Sequence, residues 1–178
     1  PDDIIIGLPA SGVHSNGFTL ARAAVADLDL KKIYPELNEE KTLGQVLLEP
    51  TRIYVEPIVK LLKQYRVKKV VSGMAHITGG GIAGNLCRSL CDSVDATVHL
   101  DRWEVPSIFN FLQKHGNIET EEMFRVFNMG IGYILIVRPA FADSITSHLE
   151  QLGETPIILG EITKGTGKVH VIEEGLSS

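Results

Sequence analysis

Apolar positions along this chain come in short bursts separated by glycine, proline and charge, and the period within each burst predicts an element. Ile4–Leu8 is a continuous run rich in β-branched residues that stops at Pro9, which predicts a buried strand. Phe18, Ala21, Val25 and Leu28 then fall on one helical stripe, with Leu20 and Ala24 beside it, so a helix capped by Ser15 or Asn16 is expected to run to about Leu28. Residues 29–40 are polar and predict a surface connection. Leu43–Leu48 predicts a short helix closed by Pro50. Thr51 can cap the next helix, which runs to Tyr65, with Pro57 starting its regular part or kinking it.

The second half continues the pattern. Val67–Met74 carries three valines among lysines and predicts a strand. After Gly79-Gly80-Gly81, the leucine spacing of Ile82, Leu86 and Leu90 predicts a helix. Val94–Leu100 alternates apolar and polar positions, the mark of a strand with one wet face. Pro106 suits the first turn of a helix to Lys114, and Gly116 suits its stop. Thr120-Glu121-Glu122 opens another short helix. Ile131–Val137, ended by Pro139, is the most apolar strand candidate. Asp143–Leu152 predicts a helix ended by Gly153. Ile157–Ile162 and Val169–Ile172 are expected to close the fold as a hairpin around Lys164-Gly165-Thr166-Gly167. About six strands alternate with helices, which predicts an α/β domain of α+β type. Its mixed sheet of about six strands is layered with helices in one unit, without repeat or linker.

Composition narrows the class. The 178 residues can bury roughly two thirds of their unfolded surface. A net charge of −5 gives no footprint for nucleic acid or an anionic membrane, so a bound anion must be held by local geometry. No apolar run approaches the ~20 residues that span a bilayer. Cys87 and Cys91, four apart on one predicted helix, are poorly placed for a mutual disulfide and are expected as reduced, buried thiols of a cytoplasmic protein. Pro1-Asp2-Asp3 leads straight into a strand without an initiator Met, as in a segment of a longer polypeptide.

Candidate chemistry lies in two glycine-rich loops, each between a predicted strand and a predicted helix. In Gly7-Leu8-Pro9-Ala10-Ser11-Gly12-Val13-His14-Ser15-Asn16-Gly17, glycines free the backbone while His14, Ser15 and Asn16 offer polar groups. In His76-Ile77-Thr78-Gly79-Gly80-Gly81, consecutive N–H groups can form a nest with the Thr78 hydroxyl. Together they suggest a site for a phosphorylated ligand. The alternative for the first loop is a capped helix with His14 packed against it, and for the second a tight turn against the sheet; spacing alone leaves both readings open. Neither loop is a P-loop or a Rossmann fingerprint. Phe127-Asn128-Met129-Gly130-Ile131-Gly132 leaves one face of the strongest strand bare for a backbone or a ligand. Cys87, Cys91 and His99 do not make a zinc set, and no metal site is expected on this chain. Trp103 is expected in packing, and no nucleophile–base–acid triad is visible.

Four blocks in order carry a resemblance. They are Ser11-Gly12 with His14-Ser15-Asn16-Gly17, Pro50-Thr51-Arg52-Ile53-Tyr54, Ala75-His76-Ile77-Thr78-Gly79-Gly80-Gly81, and Phe127-Asn128 followed by Gly130 and Gly132. Over nearly its whole length the chain resembles the C-terminal half of the phosphoribosylformylglycinamidine cyclo-ligases, or aminoimidazole ribonucleotide synthetases. It departs after the glycines, where Gly84-Asn85-Leu86-Cys87-Arg88 keeps the family's Asn and Arg but not its acidic residue and proline. The resemblance implies an ATP-dependent step of purine biosynthesis that closes formylglycinamidine ribonucleotide to aminoimidazole ribonucleotide. It implies a separate N-terminal domain carrying most of the ATP and magnesium site and the contact of a homodimer. Substrate would lie in the cleft between the domains. Gly12, His14, Ser15, Asn16, His76, Thr78, Gly79, Gly80 and Gly81 then become candidates for the C-domain wall, with His14 the catalytic candidate. A non-catalytic phosphate- or nucleotide-binding module and a sibling synthetase of the same superfamily are the alternatives.

Overall fold

The computed structural model describes residues 1–172, and six strands form one sheet in the order β2-β4-β1-β5-β3-β6. The strands are β1 (Ile4–Pro9), β2 (Val71–His76), β3 (Val94–His99), β4 (Ile131–Val137), β5 (Ile157–Lys164) and β6 (Val169–Ile172). The helices are α1 (Phe18–Ala24), α2 (Leu43–Leu47), α3 (Val55–Gln64), α4 (Gly81–Leu86), α5 (Ser107–Gly116), α6 (Thr120–Val126) and α7 (Ala142–Gln151). The expected mixed α/β architecture is what forms: every pairing is antiparallel except β3 with β6.

The central strands are apolar on both faces because both faces are covered. Ile5, Ile134 and Ile136 point into a layer with Ile82 and Leu86 of α4, whereas Ile6, Leu8, Leu135 and Val137 point at α3 and α7. A further cluster, with Phe109, Leu112, Met123 and Phe127 at its centre, joins α1, α2, α5 and α6. Burial at these positions stabilises by roughly 1.5–3 kcal/mol per large side chain.

Several expectations need correction. β5 and β6 do not form a hairpin, because β3 lies between them, antiparallel to β5 and parallel to β6. Asp95 of β3 holds the connection: its Oδ1 accepts from the N–H groups of Thr166 at 2.7 Å and Lys168 at 2.8 Å, while Oδ2 meets His170 Nε2 at 2.9 Å. The His170 contact and then these amides hold the Asp95 carboxyl down at about 2. The first helix ends at Ala24, short of Leu28, and its N-cap is Gly17 at φ 75°, not Ser15 or Asn16. The second strand starts at Val71, and Val67 stays outside it, 90% exposed. The helix after the glycines stops at Leu86 and tightens into a 3₁₀ turn at Cys87–Ser89, which leaves both cysteines exposed rather than buried.

Candidate functional site

Sheet order brings the two glycine loops together. β1 and β2 both run antiparallel to β4 and flank it, so their C-terminal ends, Pro9 and His76, reach the same end of β4 opposite Ile131 and Tyr133. The loop after β1 is sewn to β4 by Ala10 N–H donating to Gly130 O at 2.7 Å. The loop after β2 is sewn to it by Ile77 N–H donating to Gly132 O at 2.9 Å. Across the gap, the Asn16 Oδ1 sits 3.7 Å from where a Cβ on Gly79 would stand. The Pro50–Tyr54 block closes the group. Ser11 Oγ donates to Pro50 O at 2.6 Å, Ser15 and Thr51 hydroxyls share a bond of 2.9 Å, and Tyr54 OH donates to Pro9 O at 2.7 Å. All four sequence blocks therefore meet at one end of the sheet.

Two buried asparagines shape the loops. Asn128 donates to Gly12 O at 2.9 Å and accepts from Gly130 N–H at 2.8 Å, tying the first loop to the entry of β4. Asn85 donates to Gly81 O at 2.8 Å and to Thr78 O at 3.2 Å, and it accepts from the Thr78 hydroxyl at 3.1 Å. Neither asparagine was singled out as a site residue, although Asn128 lies in the fourth block and Asn85 is one of the two positions kept after the glycines. Asn85→Ala is expected to remove the side-chain amide that ties Gly81 O and Thr78 O together, at a cost of about 1–3 kcal/mol. Chemical denaturation should show that loss, while Asn85→Asp should recover little of it because a carboxylate cannot donate.

The three consecutive glycines do different work. Gly79 is exposed and open, with only the Asn16 amide near it. Gly80 caps α4 at φ 103°. Gly81 is buried at φ 61°, and a Cβ there would stand 1.8 Å from Phe124 O, so packing against α6 explains this glycine. With six residues in α4 and seven in α1, the helix dipoles behind the loops are weaker than longer helices would supply.

His14 is buried, in a left-handed conformation at φ 59°. Its Nε2 accepts from Ser11 N–H at 3.1 Å, so in the neutral ring the proton sits on Nδ1. Rotating the ring by half a turn would set Cε1 against that N–H, which fixes the assignment. The buried Nδ1 has no hydrogen-bond partner among the described residues. Burial first, then the neighbouring His76 and Arg52, push the His14 pKa down. Near neutral pH the ring is therefore a neutral N–H donor whose other nitrogen is occupied.

Around it stands an aromatic group that sequence reasoning missed. The Tyr54 ring lies 6.2 Å from His14, 6.0 Å from His76 and 5.5 Å from Tyr133. Gly132 makes room for it: a Cβ there would meet the Tyr54 hydroxyl at 2.0 Å and His14 Cε1 at 2.9 Å. Burial raises the Tyr54 pKa, so the phenol stays protonated and donates. Arg52 Nη2 lies 2.8 Å from Glu154 Oε2, an ion pair by distance without hydrogen-bond geometry, and the Glu154 side chain is only 7% exposed. Tyr54 and Arg52 belong to the second block, but nothing local in the sequence announces Glu154 or Tyr133. No three His, Cys, Asp or Glu side chains among the described residues come together as a cation site, and no described helix is long and apolar enough to cross a membrane.

The cyclo-ligase of Alkaliphilus metalliredigens, named phosphoribosylformylglycinamidine cyclo-ligase, is 45% identical over 175 residues, covering 97% of this chain and 49% of its own length. The protein of that name from Carboxydothermus hydrogenoformans is 45% identical over 172 residues, covering 96% and 49%. The chain thus spans about half the length of the curated relatives it matches. Thiamine-monophosphate kinase from Stenotrophomonas maltophilia shares the fold, with a TM-score of 0.57 at 17% identity over 99% of this chain and 51% of its own. E. coli HypE, a hydrogenase maturation protein, does so at 0.54 and 16%, over 99% and 47%. The family described as AIR synthase related protein, C-terminal domain, matches residues 1–173, and the chain belongs to that family.

Proposed function

We propose that this chain is the C-terminal half of an ATP-dependent cyclo-ligase that converts formylglycinamidine ribonucleotide to aminoimidazole ribonucleotide. The observation that carries the reading is the meeting of all four sequence blocks at one end of the sheet. In this reading ATP supplies the phosphoryl group that turns the formamide oxygen into a leaving group, so that a C–N bond forms, the C–O bond breaks and phosphate departs. The chain's own residues bind and orient. Gly12, Ser15, Asn16, Thr78, Gly79 and Gly80 form the wall against the phosphorylated substrate, with His76 at its rim. His14 holds a proton on Nδ1 that the first loop must uncover before it meets an oxygen that gains charge, a donor role worth about 10²–10³ in rate once in place. Magnesium belongs to the N-terminal half in this reading, with most of the ATP site. The N-terminal domain, a homodimer and a cytoplasmic setting belong to the same proposal.

A coupled ADP-release assay tests it. The full-length protein should turn over with formylglycinamidine ribonucleotide and ATP, and this chain alone should not. Robust turnover by the isolated chain would contradict the half-enzyme reading, and calorimetry showing no binding of that ribonucleotide to the full-length protein would favour a sibling synthetase.

A further inference from the structure

Beside the glycines of both loops, and meeting the second loop only at His76, lies a cavity of about 400 Å³ walled by Arg52, Ile53, Tyr54, Val59, His76 and Tyr133. Its volume suits a single ring system or nucleoside, at the small end of ligand sites. We propose that this cavity is a subsite for a planar heteroaromatic ring, the ring end of a nucleotide whose phosphorylated end lies at the glycine loops. The inference rests on the functional reading above for the position of that second end.

The walls carry the argument. The His76 and Tyr133 rings are 6.1 Å apart with planes 30° from parallel, so two aromatic rings stand close together on the cavity wall. Tyr54 backs them and is fixed in place, its ring tightly buried and its hydroxyl bound to Pro9 O. The Tyr133 hydroxyl rests on Met74 Sδ at 3.7 Å. Arg52, drawn toward Glu154, brings a planar cation to the same wall. Guanidinium and aromatic faces both stack on planar rings, and such stacking is tolerant of ring identity. Ile53, Val55 and Val59 add apolar surface and are exposed at 77%, 68% and 42%. The cavity also adjoins the donor: Tyr54 lines it and is the ring next to His14.

Two ring sources share this chemistry, the adenine of ATP and the imidazole of the product, and the test separates them. In the full-length protein, calorimetry would measure adenosine 5′-monophosphate, aminoimidazole ribonucleotide and ribose 5-phosphate as a ringless control. Tyr133→Leu keeps an apolar side chain but removes the π face. Val59→Trp fills the cavity from α3 and leaves the residues of the sheet unaltered. Each variant is expected to weaken one ring-bearing ligand roughly tenfold and to leave ribose 5-phosphate unchanged; whichever ring responds is the occupant. If neither variant changes either ring-bearing ligand, or if the ringless control weakens equally, the subsite is overturned and the cavity is a contact for the other half of the protein. Should Tyr133→Leu fail to fold, Val59→Trp decides alone. Failure here with ordinary turnover would leave the functional reading intact, whereas absence of turnover in the unaltered protein would sink that reading instead.

Discussion

Gly132→Ala is expected to cost the full-length protein about a hundredfold or more in turnover. A methyl group there cannot coexist with the present positions of the Tyr54 hydroxyl and His14 Cε1. Tyr54 is held in place, being 4% exposed and bound to Pro9 O. The added volume should destabilise the fold by about 1–3 kcal/mol, as overpacking of a filled core does. The larger effect falls on geometry, since a displacement of about 1 Å at a reacting centre costs roughly 10² in rate. Gly84→Ala is the control. Nothing lies within 4 Å of a Cβ at that position in α4, and alanine favours a helix over glycine by roughly 1 kcal/mol. Turnover should be unchanged in Gly84→Ala and the melting temperature equal or higher. If Gly132→Ala keeps full activity, the Tyr54–His14 contact is irrelevant to the chemistry.

Removing the His14 ring should have the second largest effect, and pH distinguishes its roles. His14→Ala is expected to lower turnover by two orders of magnitude or more while moving the melting temperature by only a few degrees. Equal losses of folding and activity would make His14 a packing residue. Because burial depresses the folded pKa below the unfolded ~6.5, the unfolded state binds the proton more readily. The His14 contribution to stability is therefore complete above about pH 6.5. It declines as the pH falls from there toward the lowered folded value. His14→Asn tolerates the left-handed backbone and keeps an N–H near Nδ1, so it should retain more activity than the alanine variant and lose this segment of the acid decline. Thermal melts of the two proteins between pH 5 and 8 make the comparison. A decline of the same size in both would place the titrating group elsewhere.

What the sequence revealed, and what it hid, follows from the range of the interactions. Ile131–Val137 was legible to the residue because it is buried on both faces and sharply bounded, and the glycine loops were legible because Gly17, Gly80 and Gly81 take a left-handed backbone that glycine adopts without strain. The roles within Gly79-Gly80-Gly81 were not, since Gly81 is required by a carbonyl forty-three positions later, Phe124 O. The closing hairpin was misread for the same reason: Asp95 reaches 71 to 75 residues along the chain to capture the Thr166–His170 segment. Cys87 and Cys91 looked buried only while the helix was expected to continue past Leu86. Ser15 looked like a cap until the Thr51 hydroxyl, 36 positions away, engaged it. Arg52, Tyr54, Tyr133 and Glu154 converge only through the packing of α3 and α7 on the sheet, and periodicity carries no trace of that.

The most direct test of the convergence at the end of β4 is a crystal structure of the full-length protein with formylglycinamidine ribonucleotide bound. The phosphorylated ligand should contact both residues 12–16 and residues 78–80, with the His14 Nδ1 donating to one of its oxygens. A ligand held wholly by the N-terminal half, touching neither loop, would contradict the account.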